Sequence, residues 1–167
     1  MPSKIQTADV NRDGKVDIVV SHCYTDDSIE IFYGEENFAF SISQEILLGP
    51  DRSVLEQEIR DLVVADLDGD EKPDIAAACF ASKAVAVLIN ESAGSAIPQT
   101  FRGETYPFDS GRPRALCVGD VNQDGGADLL VGLWEENSVA LLLGTPPKPE
   151  AAPKREAGSK RAAGLKR

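Results

Sequence analysis

Histidine is nearly absent, occurring once as His22, and the three cysteines (Cys23, Cys79, Cys117) share no CxxC spacing. A thiolate or imidazole zinc site therefore has no donor set here, and an odd count of thiols frames no disulfide scaffold. Buried, unpaired thiols are the expectation. Aromatic residues make up only 6% of the chain, and no apolar run approaches the roughly 18 residues that a membrane-crossing helix needs. The N-terminal stretch Met1 to Asp9 lacks the apolar core of a signal peptide. No GxSxG nucleophile motif occurs either.

Positive charge is scarce over most of the chain and concentrated at one end. Residues 145–167 hold seven Lys and Arg against two Glu, which leaves 10 basic and 26 acidic groups in the first 144 residues, a net of −16. An acidic body of this kind repels nucleic acid and attracts cations. The Pro-, Ala- and Lys-rich stretch 145–167 has no apolar periodicity and reads as a disordered basic tail.

What the sequence does have is internal repetition. The segment from Ala8 to Val20 recurs as Ala65 to Ala77 and again as Gly119 to Val131, with first aspartates Asp9, Asp66 and Asp120 spaced by 57 and 54 residues. A second apolar landmark keeps the same phase: Ser28 to Gly34, Ala84 to Asn90 and Ser138 to Gly144. Each ends 16 or 17 residues after the last aspartate of its loop. Short β-branched runs bounded by turn residues predict buried strands rather than helices. Each unit becomes strand, Asp-rich loop, strand, turn, strand. A fourth strand is expected in the first two units, around Phe38 to Ile42 and near Thr100 to Arg102, and not in the third.

Four antiparallel strands in about 50 residues have the size of a β-propeller blade. The fold class is therefore all-β, with three blade-like units of a partial propeller over residues 1–144 (about 2–50, 51–105 and 106–144), followed by the tail. Three blades are too few to close a ring, since propellers have about 4 to 8. A fragment of a larger propeller is the expectation, and open blade edges would invite self-association.

Each loop offers oxygen donors at positions 1, 3, 5 and 9. These are Asp9, Asn11, Asp13 and Asp17; Asp66, Asp68, Asp70 and Asp74; and Asp120, Asn122, Asp124 and Asp128. Position 7, occupied by Lys15, Lys72 and Gly126, would contribute its backbone carbonyl. Position 6 is Gly14 and Gly125 in the outer loops, where a sharp turn suits glycine. Glu71 stands there in the middle loop, with Gly69 two residues earlier, so a different backbone path is expected.

So many carboxylates in nine residues repel one another unless a cation sits among them. Calcium, which accepts 6 to 8 hard oxygen ligands in flexible geometry, is the natural candidate, up to three ions in all. An EF-hand would need an acidic ligand at position 12 and flanking helices. Val20, Ala77 and Val131 occupy that position within strand-like runs. Turns that bind nothing remain the competing reading, and three loops in phase argue against it. Paired carboxylates could in principle serve as acid and base, but metal accounts better for all twelve positions. His22 reads as a surface or edge residue. Trp134, Phe80 and Cys23 share one repeat position, suited to packing against the next unit or, for Trp134, to stacking on a glycan.

These loops resemble the FG-GAP (VCBS-type) repeat, an Asp-x-Asp-x-Asp-Gly-x-x-Asp loop followed by an apolar strand, across residues 2–144. The resemblance implies integrin-α-like propeller blades, calcium at the three quartets named above, and an extracellular or cell-surface setting. It further implies a non-enzymatic adhesion module for a protein or carbohydrate ligand. The alternative it leaves is an accessory domain of a propeller-containing glycan lyase or phospholipase.

Overall fold

Short continuous apolar runs put apolar side chains on both faces of a strand, which are buried only if sheets stack on each side, and that is how this chain folds. A computed structural model describes residues 1–23, 27–48 and 58–146. The expected boundary between the first two units and nearly all of the tail lie outside the described residues.

The first sheet runs in the order β1 (Pro2–Ala8), β2 (Asp17–His22), β3 (Ser28–Tyr33) and β4 (Ile42–Leu47), all antiparallel. The second repeats it with β5 (Ile59–Ala65), β6 (Asp74–Cys79), β7 (Ala84–Asn90) and β8 (Phe101–Pro107). The third has β9 (Arg112–Gly119), β10 (Asp128–Trp134) and β11 (Ser138–Leu142). Among the described residues there is no α-helix, only a single 3-10 turn at Glu36–Phe38. Among the described residues no helix is long and apolar enough to cross a membrane.

The described residues thus form an array of three blade-like units, four-stranded twice and three-stranded once. The outer strands sit later than expected. Phe38 lies in the 3-10 turn and β4 begins only at Ile42, while β8 extends from Phe101 to Pro107. Both are strands by virtue of their partner, because their own patterns are half polar and pairing with β3 and β7 supplies the order.

The first strands of the units, β1, β5 and β9, lie side by side. Asp61 on β5 ties all three together: it pairs with the Lys4 ammonium of β1 at 2.9 Å and accepts the N–H of Leu116 of β9 at 2.9 Å.

Two apolar cores fill the spaces between sheets. Val19, Ile29, Ile31 and Tyr33 of the first unit meet Ile59, Leu62, Ile75 and Ala77 of the second. On its other face the second unit presents Ala76, Val85, Val87 and Ile89 to Leu129 and Val131 of the third. β6 is buried along its whole length, and its run of alanines lets a sheet approach closely on either side.

The expectation of buried thiols holds for Cys23 and Cys79, but Cys117 is exposed. It lies on the face of the third sheet that no other sheet covers among the described residues. Phe80 packs as expected against the next unit, with the guanidinium groups of Arg60 and of Arg112 on β9 each 5.2 Å from its ring centre. Trp134 is half exposed beneath Arg114, 4.4 Å away. His22 is partly buried on β2, its Nε2 3.2 Å from Glu30.

Candidate metal centre

Each Asp-rich loop joins the first and second strands of its unit, and its conformation follows from a small set of repeated hydrogen bonds. The position-1 aspartate accepts at least two backbone N–H groups from its own loop, and Asp66 a third from Gly69 at 2.7 Å. Asp9 takes those of Asp13 and Gly14 at 3.0 and 2.9 Å, Asp66 those of Asp70 and Glu71 at 3.1 and 2.8 Å, and Asp120 those of Asp124 and Gly125 at 3.1 and 2.9 Å. Position 3 repeats the motif on a smaller scale, with Asn11, Asp68 and Asn122 each accepting the N–H two residues on. The N–H of Lys15, Lys72 and Gly126 donates to the position-5 aspartate at 2.9, 2.9 and 2.8 Å.

The middle loop does not take a different path. Glu71 adopts φ +67°, in the left-handed region that Gly14 and Gly125 occupy at +87° and +88°. Position 4 is left-handed in all three loops as well, at Arg12, Gly69 and Gln123. The hydrogen-bond scaffold imposes this geometry on a residue that pays a steric cost to adopt it.

Position 9 is where the sequence said least and the structure says most. Asp17, Asp74 and Asp128 are fully buried at the start of the second strand. One oxygen of each accepts the N–H of position 2 (Val10, Leu67, Val121) at 2.8 to 2.9 Å. The other accepts an N–H at or just past the end of the third strand (Gly34, Asn90, Gly144) at 2.7 to 2.9 Å. These carboxylates clamp loop to sheet. Their partners carry a signal in the sequence, since Gly34, Asn90 and Gly144 close the second landmark in constant phase.

The loops differ in how their negative charge is offset. Asn11 and Asn122 donate their amide N–H to Asp13 and Asp124 at 3.2 and 2.9 Å. Asp68 has no such donor to give, and among the described residues Asp66, Asp68 and Asp74 form the one set of three acidic groups whose oxygens lie within 4.8 Å of one another. The Lys72 ammonium sits beside this set, bonded to Asp70 and to the carbonyl of Asn90.

The electrostatics agree. Burial, reinforced by the charges of Asp68 and Asp70, pushes Asp74 up from its usual 3.8 to about 6. Burial and then Asp70 and Asp66 raise Asp68. In the third loop the N–H groups of Gly144 and Val121 hold Asp128 below its usual value. Asp17 is raised by burial. All-oxygen donors with mutually repelling charges fit a hard divalent cation at the middle loop. Asp66, Asp68 and Asp74 would hold it, and the ion would supply the charge that their crowding lacks.

Stacked antiparallel units, each with an acidic loop clamped between its strands, define a propeller-type repeat protein. The family model of the FG-GAP-like repeat matches residues 9–77 and 66–131, and the chain belongs to this family. No curated protein matches the chain at a significant level.

Proposed function

We propose that the chain is a calcium-binding repeat module of the extracellular or cell-surface type, a non-catalytic element that presents its loops to a protein or glycan ligand. The reading is carried by one observation, the convergence of Asp66, Asp68 and Asp74 in a loop whose main backbone hydrogen bonds recur in the other two loops. The ions would be structural, up to three of them. Binding to the folded chain alone would stabilise it by mass action, by about 2.7 kcal/mol per site at 100 times the dissociation constant. Extracellular calcium modules typically have dissociation constants of about 10⁻⁴ to 10⁻³ M.

The test is thermal unfolding with added calcium and with chelator. Calcium raises the melting temperature of the wild-type chain, and the combined substitutions Asp13→Ala, Asp70→Ala and Asp124→Ala remove that increment. A melting curve indifferent to calcium refutes the proposal.

A further inference from the structure

The middle loop carries four carboxylates, Asp66, Asp68, Asp70 and Asp74, yet Asp70 is outside the set of three whose oxygens converge. Both of its oxygens are engaged by one residue, Lys72. The backbone N–H of Lys72 donates to Oδ1 at 2.9 Å, and its ammonium donates to Oδ2. A second acceptor fixes the ammonium from another side: the carbonyl of Asn90, the last residue of β7, at 3.0 Å. Asn90 is itself anchored. Its N–H lies on Asp74 at 2.7 Å, and its side-chain amide reaches the carbonyls of Val10 and Pro73 at 3.1 and 3.3 Å.

The outer loops are built differently at this point. Their position-5 aspartates, Asp13 and Asp124, accept a neutral amide from Asn11 and Asn122 at 3.2 and 2.9 Å. Lys15 reaches Asp13 only at 3.5 Å, and Gly126 has no side chain to offer.

Lys72 therefore supplies, in the ion-free fold, the kind of charge that a divalent ion would bring: a positive group set against four carboxylates that repel one another. An ammonium and a divalent ion also repel each other, so both cannot lie against Asp70 without cost. Resting on the calcium reading above, we infer that Lys72 is a tethered competitor for the middle site, an internal cation that must give up Asp70 before that loop completes its donor set. Position 7 then governs affinity through its side chain, besides offering its backbone carbonyl. The released ammonium has a place to go, because Lys72 borders a polar cavity of about 390 Å³ lined by Asn11, Asn90, Ser95 and Gln99. Arg12 lines the same cavity and pairs at 3.6 Å with Glu71, which is outside the donor set.

Calcium titrations of the full 167-residue chain, followed by the amide resonances of Gly69 and Glu71, read the middle loop separately from the other two. Lys72→Met keeps the apolar stem and deletes the charge. It is expected to bind calcium about twofold to fivefold more tightly at that loop, the range set by a partly exposed ion pair. Lys72→Arg retains a cation and gives no tightening. Arg12→Met measures the general field, since it also removes a positive charge beside the loop but not the one that holds Asp70, and its effect is the smaller.

A second readout uses the unaltered chain. Acylation of the Lys72 amine, followed by mass spectrometry, accelerates when calcium replaces chelator, while that of Lys4, paired with Asp61, keeps its rate. Three outcomes overturn the inference: calcium affinity unchanged or weakened in Lys72→Met, equal tightening in Arg12→Met, or Lys72 acylation indifferent to calcium. A middle loop that takes up no calcium in any of these chains overturns the calcium reading itself, and the inference with it.

Discussion

At the scale of single residues, some loop side chains clamp the fold, Asp74 being both a clamp and a candidate ligand, while others are candidate ligands alone, and the difference can be measured. Asp17 satisfies the N–H groups of Val10 and Gly34, and removing it strands two buried donors. Asp17→Ala should therefore cost roughly 2 kcal/mol or more in chelator and in calcium alike. Asp13 is exposed, so Asp13→Ala should cost little in chelator and act mainly by reducing the calcium-dependent increment. Denaturant titrations under both conditions separate the two; equal losses for both variants would contradict the division.

Asp74 supplies the pH dependence. Its pKa in the folded chain is raised from 3.8 to about 6, so ionising it costs folding energy. Its contribution to metal-free stability is full below pH 4 and is lost as the pH rises through about 6. Calcium needs the carboxylate, so uptake at the middle loop should release a proton near pH 6 and tighten from pH 5 to 7. Asp128, held below its usual value, should give the third loop no such dependence over that range. Calorimetric calcium titrations in buffers of different ionisation enthalpy measure the proton released.

At the scale of elements, the units hold their shape where the third strand ends against the loop. Gly34 is packed so tightly that a Cβ would lie 2.4 Å from the carbonyl oxygen of Val16. Gly34→Ala should destabilise the chain by about 1 to 3 kcal/mol, as overpacking does. Gly119→Ala, where nothing lies within 4 Å, should be tolerated. Thermal melts of the pair check the contrast. In the middle unit Asn90 fills the position of Gly34, and its side chain reaches the carbonyl of Val10 in the first unit at 3.1 Å. The loops and inner strands were legible because the Asp spacing and the apolar runs are local patterns. The starts of β4 and β8 were not, since Ile42 to Leu47 and Phe101 to Pro107 mix polar and apolar residues and become strands only by pairing.

At the scale of the whole molecule, a net of −16 over the first 144 residues opposes compaction. Raising salt from 0.01 to 0.15 M shortens the screening length from about 30 to about 8 Å. In chelator this should raise the melting temperature, and it should also raise the calcium needed for half-saturation. A melting temperature unmoved by salt would show that the acidic groups do not strain the fold.

The sequence by itself determined the three repeats, the all-β class and the family, because each is written in residue types at fixed spacing. Only the tertiary structure decided that Glu71 follows the glycine path, that position 9 is a clamp, that Asp61 joins three units and that Cys117 is exposed. Those facts depend on which backbone N–H or neighbouring sheet reaches a given side chain, and such neighbours lie far away along the chain.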